Sequence, residues 1–128
     1  MTVRLEGRLF SGMEVAKEYL SMEEYQERIK DKTGFRPFPG TLNLNVDDKK
    51  TQKLAETTEK ARIPGFRKNN TGYSGLDLYP VKIEGFNAYY IDIDVTDYED
   101  NVVEIIAPIK LREKLGLEDG DKVEVTTL

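Results

Sequence analysis

The sequence predicts a mainly-β chain: a small, compact barrel of about six strands with two short helices, forming a single domain over residues 1–128. Three observations predict it. Apolar residues alternate at period two in six short segments. Short turn-like stretches and small helices join most of these segments, without the regular strand–helix alternation of βαβ units. Only two short stretches carry apolar residues at helical spacing, and no repeat, low-complexity tract or compositional boundary interrupts the chain.

The elements follow in order. Residues 3–10, VRLEGRLF, place Val3, Leu5 and Leu9 on one face and read as the first strand. Residues 11–20, SGMEVAKEYL, fit either a loop running into a strand or a helical turn. Ser21 and Glu24 are spaced as a capping box, in which each side chain takes a backbone N–H of the other's residue. Met22, Tyr25 and Ile29 then fall at helical spacing, and Gly34 sits where a helix stops, so a helix is predicted at about 22–33. In FRPFPGTLNLNV, residues 35–46, Leu42, Leu44 and Val46 alternate with Thr41, Asn43 and Asn45, which predicts a strand over 41–46.

Residues 47–72 are polar and weakly patterned and read as a connecting excursion, with a helical turn around Leu54. GLDLYPVKI (75–83) and AYYIDIDVT (88–96) are two strands separated by the turn Glu84-Gly85-Phe86-Asn87. VVEIIAP (102–108) is a strand ended by Pro108. IKLREKLGL (109–117) predicts a short helix, with Leu111 and Leu115 one turn apart and Gly116 as its stop. EDGD turns the chain into a last strand, KVEVTTL.

Composition removes several function classes. The 128 residues contain no cysteine and no histidine. Disulfides, thiolate or imidazole metal sites, cysteine nucleophiles and Ser-His-Asp triads are therefore excluded. Any acid–base chemistry falls to Asp, Glu, Lys, Tyr or a phosphate. A net charge of −5 argues against a nucleic-acid surface, which draws its affinity from phosphate neutralisation. Charged residues of both signs make up 34% of the chain, as suits a soluble surface. No apolar run approaches the ~18 residues of a membrane span. The opening MTVRLEGRLFSG lacks the apolar centre of a signal peptide, so a cytoplasmic protein is expected.

Three groups of residues could carry chemistry. Thr41 and Asn43 lie two apart on a strand, so their side chains point the same way. A hydroxyl and an amide oxygen form a neutral, hard-oxygen pair that could give two ligands to Mg²⁺ if phosphate and water supplied the rest. They fit equally a turn-stabilising Thr and an edge Asn. Glu104, flanked by Val102, Val103, Ile105 and Ile106, either faces solvent or is held in a cleft, where it could act as a base or hydrogen-bond acceptor. Lys110 and Arg112 could meet an anion or stand solvated on their helix. Neither G-x-x-x-x-G-K-[ST] nor G-x-G-x-x-G is present. Tyr89, Tyr90 and the other tyrosines could stack on a flat ligand or pack in the core.

The segments GRLFSG (7–12), FRPFPGTLNL (35–44), YPVKI (79–83) and VVEIIAPIKLREKLGLEDGDKVEV (102–125) occur in the order seen in the archaeal CTP-dependent riboflavin kinases, and the chain resembles that family from Gly7 onward, thinly across 47–72. The resemblance implies a six-stranded cradle-loop β-barrel. It implies transfer of the γ-phosphoryl group of CTP to the 5′-hydroxyl of riboflavin, giving FMN and CDP. It implies one Mg²⁺ ion on Thr41 and Asn43, flavin contacts at Thr96 and Glu104, and nucleotide contacts at Ile109, Lys110, Leu111 and Arg112. Glu104 is the only carboxylate in the matched segments near the flavin position, and a base role follows for it as an inference.

The family's other nucleotide segment is a glycine-rich loop close to S-G-L-G-E-G-R. Here it reads Ser11, Gly12, Met13, Glu14, Val15, Ala16, Lys17. Glu14 and Ala16 stand at two glycine positions and Lys17 at the arginine, so the loop closes differently or its donor preference differs. A monomer binding riboflavin and CTP, with no nucleic-acid or membrane partner, is the expectation. Two alternatives stand beside it. KLREKLGLEDGDKVEV also looks like the swapped-hairpin DNA-binding domains of transition-state regulators. A flavin- or nucleotide-binding protein without catalysis is the other.

Overall fold

The computed structural model describes residues 3–12, 15–46, 56, 59–96, 98 and 101–127. Among the described residues nine strands run β1 (Arg4–Phe10), β2 (Leu42–Asn45), β3 (Ala61–Ile63), β4 (Phe66–Lys68), β5 (Thr71–Tyr73), β6 (Leu76–Ile83), β7 (Phe86–Ile93), β8 (Val102–Ile106) and β9 (Lys122–Thr127). The short helices described there are α1 (Val15–Leu20), α2 (Glu23–Thr33) and α3 (Leu111–Lys114). The expected Leu54 turn lies outside the described residues.

The main sheet has the order β3-β6-β7-β8-β2-β1-β9, and β9 pairs again with β6. Six antiparallel strands therefore close into the predicted barrel, leaving β3 attached to the outside of the circuit. Strand β6 meets β3 through Leu76–Leu78 and β9 through Val81–Ile83. Pro80, which has no N–H, falls in the gap between these two partners. The residue before β1 is stitched to the last residue of β9. The Val3 N–H donates to Thr127 Oγ1, and the Thr127 N–H to the Val3 carbonyl, each at 2.9 Å.

Alternation divides the apolar residues between two cores. Leu5, Leu9, Leu42, Leu44, Tyr79, Val81, Ile83, Tyr90, Val103, Ile105, Val123 and Val125 fill the barrel. On its outer wall Leu76, Leu78, Ile91 and Ile106 pack with Ile63 of β3 and with Ala16, Leu20, Tyr25 and Ile29 of the helices. Buried Gln26 joins this helical layer to the chain behind it. Its Nε2 donates to the carbonyls of Leu20 at 2.6 Å and Pro37 at 2.9 Å.

Several local expectations change. Of the two readings of 11–20 the helical one holds, as α1, which gives three helices among the described residues where two were expected. Ser21 does not cap α2. Its hydroxyl donates to the Lys17 carbonyl at 2.6 Å, closing α1 instead, and Met22 is the N-cap. The Gly34 stop holds: its φ is 87° and its N–H donates to the Lys30 carbonyl. The 84–87 turn shortens to Glu84-Gly85, both at positive φ, so β7 begins at Phe86, opposite Ile83. The 109–117 helix contracts to the single turn of α3, with Gly116 left-handed at φ 64°. The 47–72 excursion contains β3 and most of a β4–β5 hairpin, turned by Asn69-Asn70 at φ 52° and 67°.

Candidate functional site

A cleft of about 460 Å³ opens on the outer wall, beside the helical layer. Its position follows from the strand pattern. Leu42, Leu44, Val103 and Ile105 point into the barrel, so Thr41, Asn43 and Glu104 point out. Strands β2 and β8 pair so that Asn43 stands opposite Glu104. The turn before β2 is anchored by the Phe38 N–H, which donates to the Ala107 carbonyl at 2.8 Å.

Three oxygen-bearing side chains converge there. The Thr41 hydroxyl donates to Asn43 Oδ1 at 2.8 Å and lies 3.4 Å from Glu104 Oε1. Glu104 is only 7% exposed, which removes the solvated-face alternative. Burial pushes its carboxyl up to about 7; the Thr41 hydrogen bond opposes this and the negative charge of Asp92 adds to it. At neutral pH it is poised between acid and base. A hydroxyl, an amide oxygen and a carboxylate are hard donors of the kind Mg²⁺ takes, and three protein oxygens leave positions for water or phosphate. These residues fit such an ion.

The remaining predicted residues gather around this centre. Gly12, Ala16 and Lys17 line the cleft from the loop after β1 and from α1; Ile109, Lys110, Leu111 and Arg112 line it from α3 and the segment before it. Thr96 lines it after β7, its hydroxyl accepting the Tyr98 N–H at 3.2 Å. Met13 and Glu14 lie outside the described residues. Val15 begins α1. Ala16, at a position where the resembling family has glycine, is buried on α1 against the outer core, in keeping with alanine's helix preference.

The two nucleotide-type segments touch through Asp119. Its carboxylate accepts from the Ser11 hydroxyl at 2.8 Å and pairs with the Arg112 guanidinium at 2.8 Å. Both contacts hold the Asp119 carboxyl below its ordinary range, Arg112 most of all. Gly12 is needed for a close approach: a Cβ there would overlap the Asn43 amide nitrogen and the Tyr98 hydroxyl.

Two phenylalanines that the sequence reading did not single out, Phe10 and Phe38, line the cleft, as do Tyr19 and Tyr98 from among the tyrosines that could meet a flat ligand. Phe10 and Tyr98 meet edge-on with centroids 6.0 Å apart. Phe38 and Val95 are the exposed large hydrophobics among the described residues, and both line this cleft, Val95 at 79% exposure. An available signal was the flanking of Phe38 by two prolines, which marks the stretch as a loop or turn. Tyr89 and Tyr90 play no part here. Tyr90 stacks on Tyr79 at 5.4 Å inside the barrel, and Tyr89 packs against Phe35.

Comparison with known proteins places the chain among relatives. Residues 9–127 match the family model for the CTP-dependent riboflavin kinase domain, CTP-dep_RFKase, described as domain of unknown function DUF120. A riboflavin kinase of Methanocella arvoryzae is 43% identical over 122 residues, covering 95% of this chain and 56% of that protein. Riboflavin kinases of Pyrobaculum aerophilum and Pyrobaculum islandicum are 39% and 35% identical, over 99% and 98% of this chain and 61% and 60% of those proteins. The chain thus spans a little over half the length of these relatives. A family model covering nearly all of the sequence, over a barrel of the expected topology, shows that the chain belongs to the CTP-dependent riboflavin kinase family.

Proposed function

We propose that this domain transfers the γ-phosphoryl group of CTP to the 5′-hydroxyl of riboflavin, giving FMN and CDP. The observation that carries the proposal is the convergence of Thr41, Asn43 and the buried Glu104 in a cleft with an apolar rim. Phe38 and Val95 offer exposed apolar surface to a flat ring system such as isoalloxazine. Thr96 and Glu104 give it polar contacts. Lys17, Lys110 and Arg112 supply positive charge for a triphosphate. Gly12 and the chain around 109–112 bring backbone near it.

Glu104 accepts the proton of the 5′-hydroxyl as that oxygen attacks the γ-phosphorus. The bond from the γ-phosphorus to its bridging oxygen breaks, and CDP leaves with the electron pair. Its shift to about 7 makes Glu104 a stronger base than an ordinary carboxylate while leaving a large ionised fraction at neutral pH. Thr41 and Asn43 would hold one Mg²⁺ ion, with Glu104 beside them. When bound, that ion neutralises charge on the phosphates and orients them.

A monomeric, single-domain enzyme is part of the proposal, and its nucleotide and vitamin substrates suit the cytoplasm. Strand β9 pairs with β1 and β6 of the same chain, which favours the barrel enzyme over a swapped-hairpin DNA-binding module. Incubation with riboflavin, Mg²⁺ and CTP, UTP, GTP or ATP, followed by chromatography, tests the proposal. FMN from CTP alone is expected. FMN from another donor would move the donor assignment, and no FMN from any would overturn the kinase reading.

A further inference from the structure

The Tyr19 side chain has a use that neither the fold nor the proposed chemistry explains. Its ring packs in the helical layer, tilted against Tyr25 with centroids 5.4 Å apart. Its hydroxyl is buried and has no hydrogen-bond partner among the described residues, yet the residue lines the cleft. A buried hydroxyl without a partner disfavours the structure that contains it, so the free fold gains nothing from this oxygen. Phenylalanine would pack the same ring without that penalty.

The surroundings define the missing partner. Glu104 and Tyr98 are close enough to act electrostatically on the Tyr19 phenol. Burial first, then the charge of Glu104, raises its pKa, so it stays a protonated donor across the physiological range. The partner is therefore an acceptor. A phosphate there would bring negative charge into a buried region beside Glu104, while the cleft's cations Lys17, Lys110 and Arg112 are more accessible. An uncharged oxygen on a largely apolar body satisfies these conditions.

We infer that the Tyr19 hydroxyl donates a hydrogen bond to a ring carbonyl of the isoalloxazine, and so recognises the flavin ring itself. The inference rests on the riboflavin kinase reading and names a contact within that site. It makes Tyr19 a binding residue for the ring, with no part in proton transfer.

The test is Tyr19→Phe, with flavin fluorescence titration of riboflavin and of lumichrome, which has the ring without the ribityl chain. The dissociation constants of both are expected to rise about five- to tenfold, the size of one neutral hydrogen bond. CTP affinity is expected to stay unchanged, and the melting temperature of the ligand-free protein to stay level or rise. Unchanged riboflavin affinity would overturn the inference, as would weaker riboflavin with unaltered lumichrome, which would put the hydroxyl on the ribityl chain. A clear fall in the ligand-free melting temperature would overturn it too, by giving the hydroxyl a structural partner. Failure of the unsubstituted protein to bind either flavin would instead overturn the kinase reading on which it rests.

Discussion

Asn43 and Glu104 face each other across the β2–β8 pair, and the Thr41 hydroxyl lies within 3.4 Å of the Glu104 carboxylate and 2.8 Å of the Asn43 amide oxygen. Two neighbouring strands of a closed barrel hold Asn43 and Glu104, so the spacing of that pair is set by backbone pairing, and Thr41 joins them from the residue before β2. Their burial follows from the helices laid over the outer wall. Rigid strands thus place the polar centre, while loops and one-turn helices supply its rim.

The first prediction concerns pH. In the folded chain the Glu104 carboxyl is raised to about 7, against an ordinary 4.5. Between those values the folded state keeps a proton that the unfolded state releases. The stabilising contribution is therefore whole below about pH 4.5 and is lost as pH rises through about 7, on the order of 3 kcal/mol at roughly 1.4 kcal/mol per unit. Denaturant unfolding in EDTA at pH 4.5 to 8.5 checks this by difference. Glu104→Gln is expected to remove that slope and to be the more stable protein at pH 8. Parallel curves for the two proteins would refute the assignment.

The second concerns the oxygen pair. Thr41→Ala combined with Asn43→Ala is expected to raise the Mg²⁺ concentration for half-maximal FMN formation about tenfold or more. An unaltered Mg²⁺ titration would place the ion elsewhere.

The third concerns Gly12. A methyl group there collides with the Asn43 amide and the Tyr98 hydroxyl. Gly12→Ala is expected to cost about 1–3 kcal/mol of stability by overpacking. It should also shift the Mg²⁺ requirement in the same direction as loss of Asn43. Thermal unfolding and the Mg²⁺ titration together check it. Normal values in both would show that the loop yields freely.

The fourth concerns Asp119, which touches Ser11 and Arg112 at once. Asp119→Ala frees both. The KM for CTP is expected to rise several-fold, while kcat and riboflavin affinity change little. Steady-state kinetics with each substrate varied in turn separate these effects, and an unchanged KM for CTP would leave the contact without a role in donor binding.

The barrel was legible in the sequence because each long strand has one face in an apolar core, and alternation records that directly. Leu42, Leu44, Val103 and Ile105 are examples, and they also imply which way Asn43 and Glu104 point. Ser21 misled because a hydroxyl near two helix ends can serve either, and here the end of α1 takes it. The β4–β5 hairpin was missed because its strands are three residues each and mostly exposed, so they carry no alternation. Asn69-Asn70 was the available sign. Which tyrosines line the cleft was not legible, because Tyr19 and Tyr98 reach it only through tertiary packing, which no local pattern encodes.

The stitching of Val3 to Thr127 has an architectural consequence. Val3 and Thr127 lie side by side at the start of β1, whereas Phe10, at the other end of that strand, lines the cleft. Seven residues of strand at about 3.3 Å each separate them by roughly 20 Å. The barrel thus has a seam and a mouth on opposite rims: β1 begins beside the finish of β9 and the Glu84-Gly85 hairpin, while the cleft opens at the far end of β1.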